Sequence, residues 1–176
     1  MAMTVTAGKK ILVSLWNALI GYTAEKPLVV LVQQSAQSIP SATDTAVTFG
    51  ASSETVDTHG MHDTGSNTSR ITPTVAGWYR LVGVVPMAAD TDVIDYRVSL
   101  AKNGTALPGR VRWPMPSTAT ASTSRSLATT ALVTANGTTD YFEVMVQQVQ
   151  AAAASLNTNV AATFSPTFEC EFVRPL

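Results

Sequence analysis

The side chains best suited to chemistry lie close together in the run DTHGMHD, Asp57 to Asp63. Asp57, His59, His62 and Asp63 are all metal-ligand types. His59 and His62 are the only 2 histidines, so an imidazole general base must be one of them. A metal site needs three or four converging ligands held by supporting groups. The spacing here matches no metal motif, and the expectation is a hydrogen-bonded surface loop. Cys170, the single cysteine, sits between Glu169 and Glu171. Neighbouring carboxylates disfavour the thiolate, so a nucleophilic role is not expected. Asp90, Asp92 and Asp95 cluster in sequence, but glycoside hydrolysis needs two carboxylates facing each other across a groove. Asp90 and Asp92 read as turn residues. No G-x-S-x-G elbow occurs. The stretch TAGKK, Thr6 to Lys10, lacks the glycine and Gly-Lys-Ser/Thr ending of a phosphate-binding loop. The sequence therefore points to a protein that is not an enzyme and has no catalytic residues, metal or cofactor. A glycan hydrolase is the competing class, and it lacks an assembled carboxylate pair.

Composition narrows the field further. The chain has 176 residues, a net charge of −1 and only 13% charged residues, against about 25% in ordinary globular chains. There is no basic surplus to neutralise phosphates, so nucleic acid is not an expected partner. No apolar run reaches eighteen residues, so a membrane-spanning helix is not expected. The opening residues, Met1 to Lys10, do not read as a signal peptide. One cysteine excludes an intrachain disulfide. Ser and Thr supply 40 residues, Ala 24, Val 20, and Lys only 4. Thr and Val suit a pleated surface. So few charges on a strand-rich chain suggest that surface is covered by assembly.

Two segments position these residues. Over residues 1–27 the only regular pattern is KKILVSLWNALI, where Ile11, Leu12, Leu15, Trp16 and Leu19 recur at helical spacing. Gly21 follows as a natural stop. So short a helix must pack on something. It either covers one end of its own domain or anchors the chain to a partner. Residues 28–176 alternate in strand fashion. Leu28 to Gln34 is a continuous apolar run, which predicts burial on both faces. Thr45 to Phe49 predicts a short strand, and Gly50 to Ser69 a long polar loop. Arg70 to Val75 predicts a short strand broken by Pro73. Gly77 to Val85 places Tyr79, Leu81, Gly83 and Val85 on one face. Ile94 to Lys102 places Ile94, Tyr96, Val98 and Leu100 together and runs into Asn103-Gly104. Ser124 to Ala135 runs into Asn136-Gly137, and Thr139 to Val149 follows. Asn-Gly between strand runs is a strong hairpin signal, so two hairpins are expected. Phe168, Cys170 and Phe172 share one face of the last strand. Eight or nine strands without intervening helices read as an all-β antiparallel sandwich or jelly roll.

The runs TAVTF (Thr45 to Phe49), DTHGMHD, SNTSRITPTVAGWYRLVG (Ser66 to Gly83), IDYRVSLAKNG (Ile94 to Gly104), TTDYFEVMVQQ (Thr138 to Gln148) and TFECEFVR (Thr167 to Arg174) follow one another in that order. Together they resemble the C1q/TNF-like jelly roll carried by tailed-bacteriophage virion proteins. The resemblance spans about Val30 to Pro175. Its most specific elements are R-I-T-P-x-V-A-G-x-Y at Arg70 to Tyr79 and N-G-T-x-D-Y-x-E at Asn136 to Glu143. Thr6 to Leu19 resembles the leader of phage head-fibre or decoration proteins. The Gly-X-Y stalk of animal C1q relatives is absent, so stalk-dependent functions do not carry over.

The resemblance implies a homotrimer bundled through one sheet face and the last strand. Tyr141, Met145, Phe168, Cys170 and Phe172 would suit that axial interface, or would fill each subunit's own sandwich. The function it implies is a virion structural protein, a capsid decoration protein on the capsid surface. Ile11, Leu12, Leu15, Trp16 and Leu19 would dock on the major capsid protein. The alternative is the receptor-binding head of a tail fibre, touching host surface glycan through Gly50 to Ser69 and Pro114 to Ser124. Few residues precede the sandwich, where a fibre tip follows a long shaft, and this favours the decoration reading.

Overall fold

The computed structural model describes residues 25–114, 124–161 and 163–176. The proposed anchor residues Ile11, Leu12, Leu15, Trp16 and Leu19 lie outside them, as does most of the Pro114 to Ser124 loop. The described residues form an antiparallel sandwich without a helix. In chain order its strands are β1 (Leu28–Val32), β2 (Ser38–Ile39), β3 (Thr45–Ala46), β4 (Glu54–Asp57), β5 (Gly77–Met87), β6 (Val93–Lys102), β7 (Thr105–Ala106), β8 (Val111–Pro114), β9 (Arg125–Ala135), β10 (Phe142–Gln150), β11 (Leu156–Asn157) and β12 (Thr167–Arg174). The first sheet runs β4-β1-β12-β5-β9. The second runs β3-β10-β6-β7, with β8 also on β6. A short β2-β11 ribbon forms a separate two-stranded ladder whose Ile39 and Leu156 join the core.

Period-two alternation decides which side chains meet between the sheets. Tyr79, Leu81 and Val85 of β5 point inward, as do Phe142, Val144 and Val146 of β10, and all are essentially inaccessible. Tyr79 sits 5.4 Å from Phe172, edge-on, and 6.1 Å from Phe142. Phe49 stacks on Phe168 at 6.3 Å. The buried phenol of Tyr79 donates to the Val75 carbonyl at 2.7 Å, so its oxygen is not left unpaired. Burial raises its pKa. The Tyr96 phenol is likewise pushed up by burial, to about 12.

Two glycines set the approach of backbone to core. A Cβ on Gly83 would come within 2.7 Å of Val144 Cγ2 and 3.3 Å of Leu100 Cδ2, across the sandwich. One on Gly77 would lie 2.3 Å from Phe172 Cε2 and 2.7 Å from the Arg174 carbonyl oxygen.

The structure departs from the sequence expectations at five places. Asn103-Gly104 forms the expected two-residue hairpin, Lys102 facing Thr105 and both turn residues at positive φ (53° and 75°). Asn136-Gly137 does not. β9 pairs with β5 in the first sheet and β10 with β6 in the second, so this loop crosses between sheets. Asn136 instead uses its side-chain oxygen to cap the amides of Thr138, Thr139 and Asp140 at 2.9 to 3.1 Å. Ile94 is 38% exposed, because the β6-β10 register shifts at Gln150 and Val93 takes the inward place. Arg70 to Val75 is not a ladder strand; only Ile71 bridges, to His62 and Phe142. The polar loop contains β4, paired with β1. Leu28 to Gln34 is buried on one face only, Val29 and Leu31 fully and Leu28, Val30 and Val32 in part.

Gly77→Ala should cost about 1–3 kcal/mol, since backbone as well as a flexible ring blocks the new methyl. Ala153→Gly should cost nothing or stabilise by under about 1 kcal/mol, because Ala153 sits at φ 53°. Urea denaturation of both variants checks the pair.

Candidate functional site

The residues of the DTHGMHD run are spent on their own loop. Asp57, at the end of β4, accepts the amides of His59 (3.1 Å) and Met61 (3.0 Å) at Oδ1 and of His62 (2.9 Å) at Oδ2. His62 is fully buried at its side chain, with Nδ1 2.8 Å from Glu54 Oε1 and Nε2 3.2 Å from the Thr68 carbonyl oxygen. His59 Nδ1 pairs with Thr58 Oγ1 at 2.9 Å. Asp63 Oδ1 accepts the Gly65 and Ser66 amides, and Oδ2 accepts the Ser66 hydroxyl at 2.6 Å. The Ser66 hydroxyl and those amides hold its carboxyl below the ordinary range. Among the described residues no three His, Cys, Asp or Glu side chains are grouped to hold a metal.

The other chemical candidates are also separated. Asp95 is buried and engaged by Arg97 Nε at 2.7 Å and Arg112 Nε at 3.0 Å. Asp90 caps the Asp92 amide at 2.7 Å and accepts Gln150 Nε2 at 3.0 Å. Cys170 points into the core, and burial raises its thiol pKa.

Three of the five proposed interface residues need correction. Phe168, Cys170 and Phe172 are 0%, 0% and 2% exposed within one subunit. They fill the subunit's own sandwich and have no surface to offer a neighbour. Alternation identified a common face of β12; it could not say which way that face looks. Tyr141 and Met145 are half-buried on the outward side of the second sheet.

What the structure does bring together is a pair of hollows flanking the Gly50 to Ser69 loop, the second of them mainly polar. One, about 380 Å³, is walled by Gln33, Gln37, Thr48 and Ser52. Its two glutamines are committed: Gln33 donates to the Thr48 carbonyl at 2.9 Å and Gln37 to that of Ala46 at 2.9 Å. The other, about 310 Å³, is walled by Asp63, Asn67, Arg70, Thr72, Thr139 and Tyr141 among others. There the Arg70 guanidinium lies 4.0 Å over the Tyr141 ring, and its Nε is 3.5 Å from Glu143 Oε1. Sequence reasoning did not find Arg70 as a site residue. Its partners come from the start of β10, far along the chain, and no spacing signals the meeting.

No family model matches the chain, and no curated protein matches it by sequence. Solved structures do. The Eiger TNF of S. frugiperda aligns with a TM-score of 0.57 at 10% identity, covering 86% of this chain and 96% of that one. The crystal structure of murine APRIL at pH 8.0 aligns with a TM-score of 0.58 at 12% identity, covering 83% and 98%. The fold is a TNF-like jelly roll. Identities this low speak for the fold alone.

In this TNF-like jelly roll the second hollow borders a knot that ties the Asn103 hairpin to the inter-sheet loop. Asp140 accepts Asn103 Nδ2 at 2.8 Å, the Asn136 amide at 2.9 Å and Lys102 Nζ at 2.9 Å. Asn103 Oδ1 in turn accepts the Tyr141 amide at 2.9 Å. The Asn103 and Lys102 contacts hold the Asp140 carboxyl below its ordinary value. A carboxyl lowered in the folded state stabilises above its unfolded pKa, and the benefit goes as pH falls through the folded one. Asp140→Asn should therefore lower the urea midpoint at neutral pH, and the gap from the parent protein should close on acidification below the carboxylate range.

Proposed function

We propose that the chain is a non-enzymatic structural protein of a phage virion, a homotrimeric decoration protein on the capsid surface. Residues 1–27 contact the major capsid protein, through Ile11, Leu12, Leu15, Trp16 and Leu19, and the jelly roll faces outward. The observation that carries the trimer is the outer face of the first sheet. Val30, Val32, Val82 and Val84 line it, half-buried, and Leu132 on the edge strand β9 is 60% exposed. Ala128 and Thr130 extend it without charge. The Arg80–Glu171 ion pair crosses it, and Glu169 is its other carboxylate on β12. Such a face is costly to leave in water and suits burial against further copies of itself. It replaces the inward β12 residues as the interface. Three copies present three leaders, so weak individual docking becomes firm attachment. The virion setting rests on the resemblance of the Arg70 to Tyr79 and Asn136 to Glu143 runs. The same trimer at a tail-fibre tip is the second reading, favoured by the polar hollow beside Arg70, and imaging of whole virions separates the two positions.

Light scattering should give the mass of three chains, and Val82→Asp with Leu132→Asp should give one. A parent protein that stays monomeric at high concentration defeats the trimer. Deleting residues 1–27 should leave a trimer that no longer binds particles; truncated protein that still decorates shells defeats the anchor.

A further inference from the structure

The hollow beside Arg70 has the makings of a ligand site independent of any particle. Its lining is polar, with hydroxyls from Thr72 and Thr139 and the carboxamide of Asn67. The terminal guanidinium nitrogens of Arg70, the Asn67 carboxamide, and the hydroxyls of Thr72 and Tyr141 make no hydrogen bond among the described residues. Of these groups the Arg70 side chain is held by its neighbours. Arg70 is fixed between the Tyr141 ring and Glu143, and Glu143 is itself anchored by the Ser69 hydroxyl at 2.8 Å. The backbone below closes on itself, the Arg70 amide donating to the Asn67 carbonyl at 2.9 Å. A guanidinium whose terminal nitrogens are free while its plane is fixed lowers the ordering cost of binding.

The chemistry of the lining selects the ligand. Sites for drug-like ligands are mostly apolar, and this one is not. Among the described residues Arg70 is the one cation on its wall. Asp63 is the matching anion, and His62 is turned onto Glu54 and the Thr68 carbonyl. An ionic ligand of either sign would meet its like charge. Fork-shaped guanidinium, carboxamide and carboxylate groups address paired donors and acceptors on adjacent atoms. Vicinal hydroxyls of a sugar ring present that arrangement. We propose that this hollow binds a neutral saccharide, one hexose unit of a glycan held by Arg70, Asn67 and Thr72 beside Tyr141. The inference deepens the second reading, in which the Gly50 to Ser69 loop touches glycan; it needs neither the trimer nor a position on the particle, and its test fails separately from theirs.

The full chain is titrated with neutral oligomers of glucose, galactose, mannose and N-acetylglucosamine, and with an oligogalacturonate. Saturation-transfer NMR and calorimetry read the binding. At least one neutral oligomer should bind at or below about 10 mM, and Arg70→Ala should weaken it about tenfold or more. Asn67→Gly removes the carboxamide while suiting the residue's φ of 51°. Thr72→Val removes one hydroxyl without changing size. Each should weaken binding several-fold, and they carry the test if Arg70→Ala does not fold. The proposal is overturned if no neutral oligomer binds, if all three variants bind like the parent, or if the oligogalacturonate binds in preference.

Discussion

The distance between the two sheets governs the rest of the molecule. At Gly83 the first sheet comes so close to Val144 and Leu100 that a single methyl would not fit. That approach lets Tyr79 reach Phe142 across the gap while it packs edge-on against Phe172. Four phenylalanines and two tyrosines are fully buried, half of the chain's 12 aromatic residues. The outer face of the first sheet is lined mainly by valines, threonines and Leu132, with Arg80, Glu169 and Glu171 as its charges. The charge-poor composition and the close-packed core are thus two sides of one allocation: large apolar groups go inside, and small β-branched ones cover the open face.

The sandwich was legible in the sequence because alternation is a local property. Tyr79, Leu81 and Val85, and Phe142, Val144 and Val146, share faces in the chain and share the core in space. The Asn103-Gly104 turn was legible for the same reason, since its two positive φ values belong to adjacent residues. Asn136-Gly137 carries the same dipeptide and does different work. There Gly137 lies so near Ala76 that a Cβ would meet its backbone nitrogen at 2.5 Å. That glycine serves a tertiary contact, and the dipeptide alone cannot distinguish it from a hairpin. Ile94 was misplaced because one register shift reverses the facing of what precedes it.

The candidate site was less legible than the fold. The DTHGMHD run drew attention through its residue types, yet Asp57 and Asp63 accept backbone amides, and His62 is buried between Glu54 and the Thr68 carbonyl. Their role is to give a long loop a fixed shape. Capping of this kind is why the loop can present Asn67 and Arg70 without ordering them anew. The residues with free polar groups were the inconspicuous ones, an arginine and a threonine within the run that carried the family resemblance. Their significance depends on Tyr141, which only the inter-sheet crossing brings alongside.

The two proposed surfaces do not compete. The valine face belongs to β1, β5 and β9, while the hollow lies among the loop after β4, the segment leading to β5 and the entry to β10. No residue is common to both. Covering the outer face of the first sheet by assembly therefore leaves the Arg70 hollow lined as it is in one subunit. The Asp140 knot reinforces that separation, because it fixes Tyr141 through Asn103 of the second sheet's own hairpin and not through any residue of the valine face. Assembly would then multiply the hollow threefold without reshaping it, which is the arrangement by which weak single-site contacts gain strength from geometry alone.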